Sequence, residues 1–108
     1  MDEILLKLPP LPKKVRGIKV TESLVIAAIE VLKEAPNHTL PQNSRKERIE
    51  KTPDGLDRRI KEKLKSDLMT ACIISDLLAE CGIVEVTKIT NPATGRLVKA
   101  TRLKAEFV

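Results

Sequence analysis

The side chains with most chemical reach in this chain are its 20 lysines and arginines, set against 15 aspartates and glutamates in 108 residues. They gather in three groups. Lys88, Asn91, Arg96 and Lys99 lie in or beside an Asn-Pro-Ala-Thr-Gly turn; Arg58, Arg59, Lys61, Lys63 and Lys65 crowd one short stretch; Arg45, Lys46, Arg48 and Lys51 form the third. The chemistry such groups offer is neutralisation of phosphate. Without aromatic partners they predict backbone affinity that is salt-sensitive and weakly selective for sequence. Phe107 is the one aromatic residue, so the base-stacking platforms of RRM and OB modules are excluded. The plain alternative for each basic group is an ordinary solvated surface.

Catalytic chemistry has little to work with. His38 is the single histidine, in a proline-bounded loop, and is expected to be exposed. No Cys–His pair, metal cluster or phosphate-cradling glycine loop stands out, so neither enzyme activity nor a metal or cofactor is expected. Cys72 and Cys81, if both lie on one helix, are separated by roughly 13 Å, too far for a bond within it. They read as small buried hydrophobes in a reducing compartment, the cytoplasm. Nothing approaches the run of about 18 apolar residues that a membrane span needs. The apolar stretch Ile4 to Leu8 is too short for a signal-peptide core.

The net charge of +5 is unevenly spread. Residues 1–66 carry a net +5, residues 67–86 a net −4 with no lysine or arginine, and residues 87–108 a net +4. A phosphate-binding role must therefore come from the flanks of an apolar, acidic centre.

These groups must be positioned by secondary structure. Residues 1–20, with Leu8-Pro9-Pro10-Leu11-Pro12, read as an extended, polyproline-like arm. Its PxxPxK pattern also fits an SH3 ligand, a cheap match. Residues 21–108 form the domain proper. Thr21 caps a helix over Glu22 to Ala35, and Ser44-x-x-Glu47 is a capping box opening a short helix. From Leu56 an apolar spacing of four runs on through Ile60 and Leu64 towards Cys81. It makes either one long helix or, the reading preferred, two helices broken near Ser66-Asp67, the second ending at Gly82.

Ile83–Thr90 and Leu97–Leu103 flank the Asn91–Gly95 turn as a β-hairpin. A four-residue loop would pair Asn91 with Arg96 and set Lys88 directly opposite Lys99, Glu85 opposite Arg102, Ile89 opposite Val98 and Val84 opposite Leu103. The opposed lysines cost the hairpin a little stability, which an anion would relieve.

The order helix, tight turn, helix, glycine, strand, turn, strand resembles the winged helix-turn-helix transcription regulators of prokaryotes, archaeal ones in particular. The residues that carry the likeness are Leu78-x-x-x-Gly82-Ile83-Val84-Glu85 and Asn91-Pro-Ala-Thr-Gly-Arg-Leu-Val-Lys-Ala100. The resemblance implies an α+β, mainly α fold of three to four helices followed by a C-terminal hairpin wing. It also implies that the helix before the wing lies in the DNA major groove. Here that helix, residues 67–81, turns Leu68, Met69, Cys72, Ser75, Asp76, Ala79 and Glu80 away from the core face of Thr70, Ala71, Ile74, Leu77, Leu78 and Cys81. It offers none of the Arg, Lys, Asn or Gln that read bases.

The expected function is therefore a small DNA-binding protein, a regulator of transcription, that contacts double-stranded DNA through the wing and basic helix surfaces. The alternative is a non-enzymatic module for protein interaction or oligomerisation with its central helix in an interface. Leu68, Met69, Cys72 and Ala79 mark that surface, to be covered by the arm through Ile4, Leu5, Leu6 and Leu8, by a second copy in a homodimer, or by another protein.

Overall fold

The computed structural model describes residues 2–108. It is an α+β fold of four α-helices and two small antiparallel sheets. In chain order the elements are α1 (Asp2–Leu6), β1 (Lys13–Val15), β2 (Ile18–Val20), α2 (Glu22–Glu34), β3 (Thr39–Pro41), α3 (Leu56–Leu64), α4 (Ala71–Glu80), β4 (Val84–Thr90) and β5 (Leu97–Leu103). Among the described residues no helix is long and apolar enough to cross a membrane.

The core begins with α2, whose apolar residues recur at helical spacing and bury Leu24, Val25, Ala28, Ile29 and Leu32. Thr21 caps it as expected, its hydroxyl accepting from the Leu24 N–H at 3.2 Å. Against α2 pack Leu56 and Ile60 of α3, Ile74 and Leu78 of α4, and Val84 and Leu103 of the larger sheet. That sheet has strand order β3-β5-β4, so β5 is central. Its β4–β5 register matches the expected one at every pair: Val84 with Leu103, Glu85 with Arg102, Lys88 with Lys99 and Ile89 with Val98. The loop closes through the Asn91 N–H on the Arg96 carbonyl at 2.7 Å.

The apolar pattern from Leu56 onward does break into two helices. Lys65 adopts a left-handed conformation (φ 52°), and the Ser66 N–H reaches back to the Lys61 carbonyl at 3.1 Å, a Schellman-type closure. The second helix starts at Ala71, four residues later than Asp67 would have begun it. The reason is a cap from outside: the Asp57 carboxylate on α3 accepts the N–H groups of Thr70 and Ala71, each at 3.1 Å. Asp67 is engaged elsewhere, accepting the Ile49 N–H at 2.9 Å. Beyond α4, Gly82 takes the expected positive φ of 76°.

Two stretches differ from expectation. Residues 2–20 are not an extended arm. They form α1 and the β1–β2 hairpin, and they contribute Ile4 and Val20 to the core. The hairpin alternates, with Val15, Ile18 and Val20 inward, and turns on Arg16-Gly17, both at positive φ (49° and 81°). That is the backbone of a two-residue primed turn. The capping box at Ser44 opens no helix; the segment makes a single 3-10 turn at Ile49–Lys51, and the Ser44 hydroxyl instead accepts the Cys72 N–H at the start of α4.

Candidate nucleic-acid interface

The wing residues meet at the far end of the larger sheet. Lys88 and Lys99 are opposed partners, both exposed, on the sheet face that also carries Thr101. The Thr101 hydroxyl lies 2.6 Å from that of Ser75 on α4, so the lysine pair projects from the side of the sheet that holds α4. Arg96 is exposed beside Gly95 (φ 72°). Asn91 belongs to the scaffold rather than to this surface: it is 5% exposed. Its Oδ1 accepts the Ala93 N–H at 3.1 Å, fixing the turn, and its Nδ2 faces the Asn43 Oδ1 at 3.5 Å.

The group on α3 is dispersed. Lys61, expected to meet phosphate, is fully buried. Its ammonium lies 3.1 Å from the Asp57 carboxylate and donates to the carbonyls of Arg45 (2.8 Å) and Glu47 (2.9 Å) and to the Thr52 hydroxyl (2.9 Å). Asp57 in turn accepts three N–H groups, from Arg45, Thr70 and Ala71, so both buried charges are fully partnered. This pair ties α3 to the start of α4 and to the segment before it.

The other members face acids. Arg59 donates to Asp54 at 3.1 and 3.3 Å, which holds the Asp54 carboxyl below its ordinary value and raises the guanidinium. Lys63 reaches Glu30 at 3.0 Å and Glu34 at 3.5 Å, and this hydrogen bonding raises the ammonium. Arg58 donates to the Thr52 carbonyl and lies 3.7 Å from Glu62. Lys65 stays exposed at the end of α3.

The third basic group follows the strand that pairs with the wing. Gln42 continues the β3–β5 ladder, its N–H on the Lys99 carbonyl at 2.9 Å and its amide on the Thr101 hydroxyl at 3.1 Å. Asn43 faces Asn91, and Ser44 and Arg45 lie at the start of α4 through Cys72 and Asp57. Beyond them Arg45, Lys46 and Arg48 are exposed, Lys46 and Arg48 on a groove shared with Arg16 and Ile18 of the β1–β2 hairpin. Among the described residues Arg45, Lys46, Lys88, Arg96 and Lys99 make no ion pair. Arg48 lies 4.0 Å from Glu50. Lys51 is exposed beyond this segment, at the end of the 3-10 turn.

The apolar stripe is partly covered. Leu68 is 51% exposed, while Met69, Cys72 and Ala79 are half-buried. A groove of about 630 Å³ runs past Leu68, Met69 and Ile73, with Arg16 and Ile18 of the β1–β2 hairpin on one side and Lys46 and Arg48 on the other. Beside Leu68 and Met69 the groove is lined by the β1–β2 hairpin, while Ile4 lies in the core and Leu5 and Leu8 pack against it. Burial, with the charge of Glu80, pushes the Cys81 thiol above its ordinary value. His38 is half-buried rather than free, its Nδ1 lying 3.2 Å from the Lys33 carbonyl at the end of α2. A carbonyl only accepts, so Nδ1 carries the proton there.

Compared with protein-family models, with curated proteins and with solved structures, the chain matches none of them.

Proposed function

We propose that this chain is a winged-helix protein that binds double-stranded DNA through its phosphates, acting in the cytoplasm as a regulator of transcription. The order α2, β3, α3, α4, β4, β5, with strands arranged β3-β5-β4, supports the winged-helix reading. The observation that carries the function is the opposed, exposed pair Lys88 and Lys99. With Arg96 it forms a basic wing, and Arg45, Lys46 and Arg48 add exposed charge elsewhere on the surface. Two ammonium groups held face to face with no acid between them favour an anion. The outer side of α4 carries Asp76 and Glu80 and no cation, so binding rests on the phosphate backbone.

The test is fluorescence anisotropy with a labelled duplex of arbitrary sequence over a salt series. Binding at low ionic strength should weaken as salt rises, the slope of log K on log salt being about −0.9 per phosphate engaged. The K88A/R96A/K99A variant should lose most of it. Absence of duplex binding by the unaltered protein at low salt refutes the reading.

A second reading, a protein-interaction module or homodimer, is favoured by half-exposed Leu68 and the groove past Met69 and Ile73. Sedimentation equilibrium decides it: a monomer at the highest accessible concentration rules out the homodimer.

A further inference from the structure

The first turn of α4 is capped by other parts of the chain. Thr70 holds its N-cap position, where a threonine hydroxyl ordinarily accepts a backbone N–H two or three residues on. Here Asp57 takes the N–H groups of Thr70 and Ala71, and the Ser44 hydroxyl takes that of Cys72. The Thr70 side chain makes no cap bond. The residue is 3% exposed, and its hydroxyl is the one buried side-chain oxygen without a hydrogen-bond partner among the described residues. A buried hydroxyl in that state costs the fold stability and calls for a partner.

Thr70 lines a recess of about 130 Å³ between β2, the start of α2, α3 and the turn from α3 to α4. That is roughly four times a water molecule's share of the liquid. Its apolar walls are Leu24 of α2, Ile60 and Leu64 of α3, and Leu68 of the turn. Two charged residues line it, both cationic. The Lys61 ammonium is committed to Asp57, Thr52 and two carbonyls, so that residue offers its methylenes. Lys19 is exposed and makes no ion pair among the described residues. The Ser66 hydroxyl accepts the Leu68 N–H at 3.2 Å, which leaves its proton to donate outward.

An apolar wall, an unused hydroxyl, an unpaired ammonium and no acid in the lining suit a small ligand with an aliphatic body and an anionic oxygen head. We infer that this recess binds a short-chain aliphatic carboxylate with a tail of about four carbons. Its carboxylate takes the Thr70 hydroxyl proton in a charge-assisted hydrogen bond and meets the charge of Lys19, and its tail lies against Ile60 and the three leucines. No wing residue lines the recess, so the site is independent of the DNA reading.

Isovalerate, whose branched tail matches that volume, is the probe, titrated into nitrogen-labelled protein at neutral pH with backbone amide NMR shifts as the readout. The amide signals of Ser66, Leu68 and Thr70 should shift saturably. Isoamyl alcohol has the same tail without the charge, and acetate the charge without the tail; each should bind at least about tenfold more weakly. T70V removes the orphaned hydroxyl at nearly constant shape. It should melt no lower than the unaltered protein, since no partner within the fold is lost, and should bind isovalerate about tenfold more weakly. K19Q, a surface change, should weaken isovalerate binding and leave that of isoamyl alcohol as it was. No saturable shift with isovalerate, or equal affinity in T70V, overturns the inference. So does a T70V protein that melts well below the unaltered chain, because the hydroxyl would then have its partner inside the fold.

Discussion

Replacing Lys61 by methionine should be among the most damaging single changes to this chain, and by a route unrelated to phosphate. Methionine keeps most of the side-chain length but removes the charge. Asp57, fully buried, would lose its 3.1 Å partner, and the carbonyls of Arg45 and Glu47 and the Thr52 hydroxyl would lose their donor. Orphaning one member of a buried ion pair costs about 3–5 kcal/mol. Domains of this size are stable by roughly 5–15 kcal/mol in all. At about 4–8 °C per kcal/mol, the melting temperature should fall by at least ~12 °C. Urea denaturation of K61M, D57N and D57N/K61M is the assay, with K63M as control, since the Lys63 pairs are solvent-exposed and contribute little. The double variant leaves no uncompensated charge and should be less destabilised than the two single losses added together. The same pair anchors Arg45 and Glu47, so K61M should also weaken duplex binding at temperatures where it remains folded. A K61M protein within about 1 kcal/mol of the unaltered chain would refute the buried-pair reasoning.

Other outcomes follow from single contacts. Gly55→Ala should destabilise the fold by about 1–3 kcal/mol, because the new Cβ would stand 2.6 Å from the Pro41 carbonyl oxygen; unchanged melting would show that β3 yields freely. The Asp54 carboxyl lies below its ordinary 3.8 because of the Arg59 hydrogen bond. Its contribution to stability is therefore present above that value and lost as pH falls through the lower folded value. The side chain is 71% exposed, so D54N should cost under about 1 kcal/mol near neutrality and nothing in strong acid, as paired denaturation curves will read. K99E should strengthen the wing by about 0.2–1 kcal/mol while weakening duplex binding, and a K99E variant that binds DNA as well as the parent would remove the lysine pair from the interface. Cys81, its thiol raised by burial, should alkylate more slowly at neutral pH in a C72S background than the same thiol in denaturant; equal rates would contradict its burial.

What the sequence could disclose was what short-range chemistry determines. The wing register follows from Asn91-Pro-Ala-Thr-Gly95 and the alternation on either side, and every expected pair is present. The cap at Thr21 and the positive φ at Gly82 are equally local. The β1–β2 hairpin was hidden by the prolines before it and by its Arg16-Gly17 turn. Arginine at positive φ lacks the local hydrogen bonding that makes Asn-Gly or Asp-Gly a recognisable signal, although Val15, Ile18 and Val20 alternate as a hairpin should. Lys61 was misplaced for a different reason. Asp57 and Lys61, four apart on an amphipathic helix, look like an ordinary surface pair beside the stripe of Leu56, Ile60 and Leu64. Only the return of residues 45–52 over that side of α3 buries them, and nothing local to the helix announces it.

The same contrast explains which positive charges remain available to a polyanion. Arg58, Arg59, Lys61, Lys63 and Lys65 are the densest basic stretch in the chain, yet a helix fans such a run around its axis. Glu62, Asp54, Asp57 and the Glu30–Glu34 pair then meet four of its five members. Lys88 and Lys99, and Lys14 and Lys19, are sparse in sequence, but strand pairing fixes each couple side by side with no acid opposite. Helices separate neighbouring charges and antiparallel ladders bring distant ones together. In a chain with a net charge of only +5, the capacity to hold phosphate therefore depends on ladder register more than on the number of basic residues.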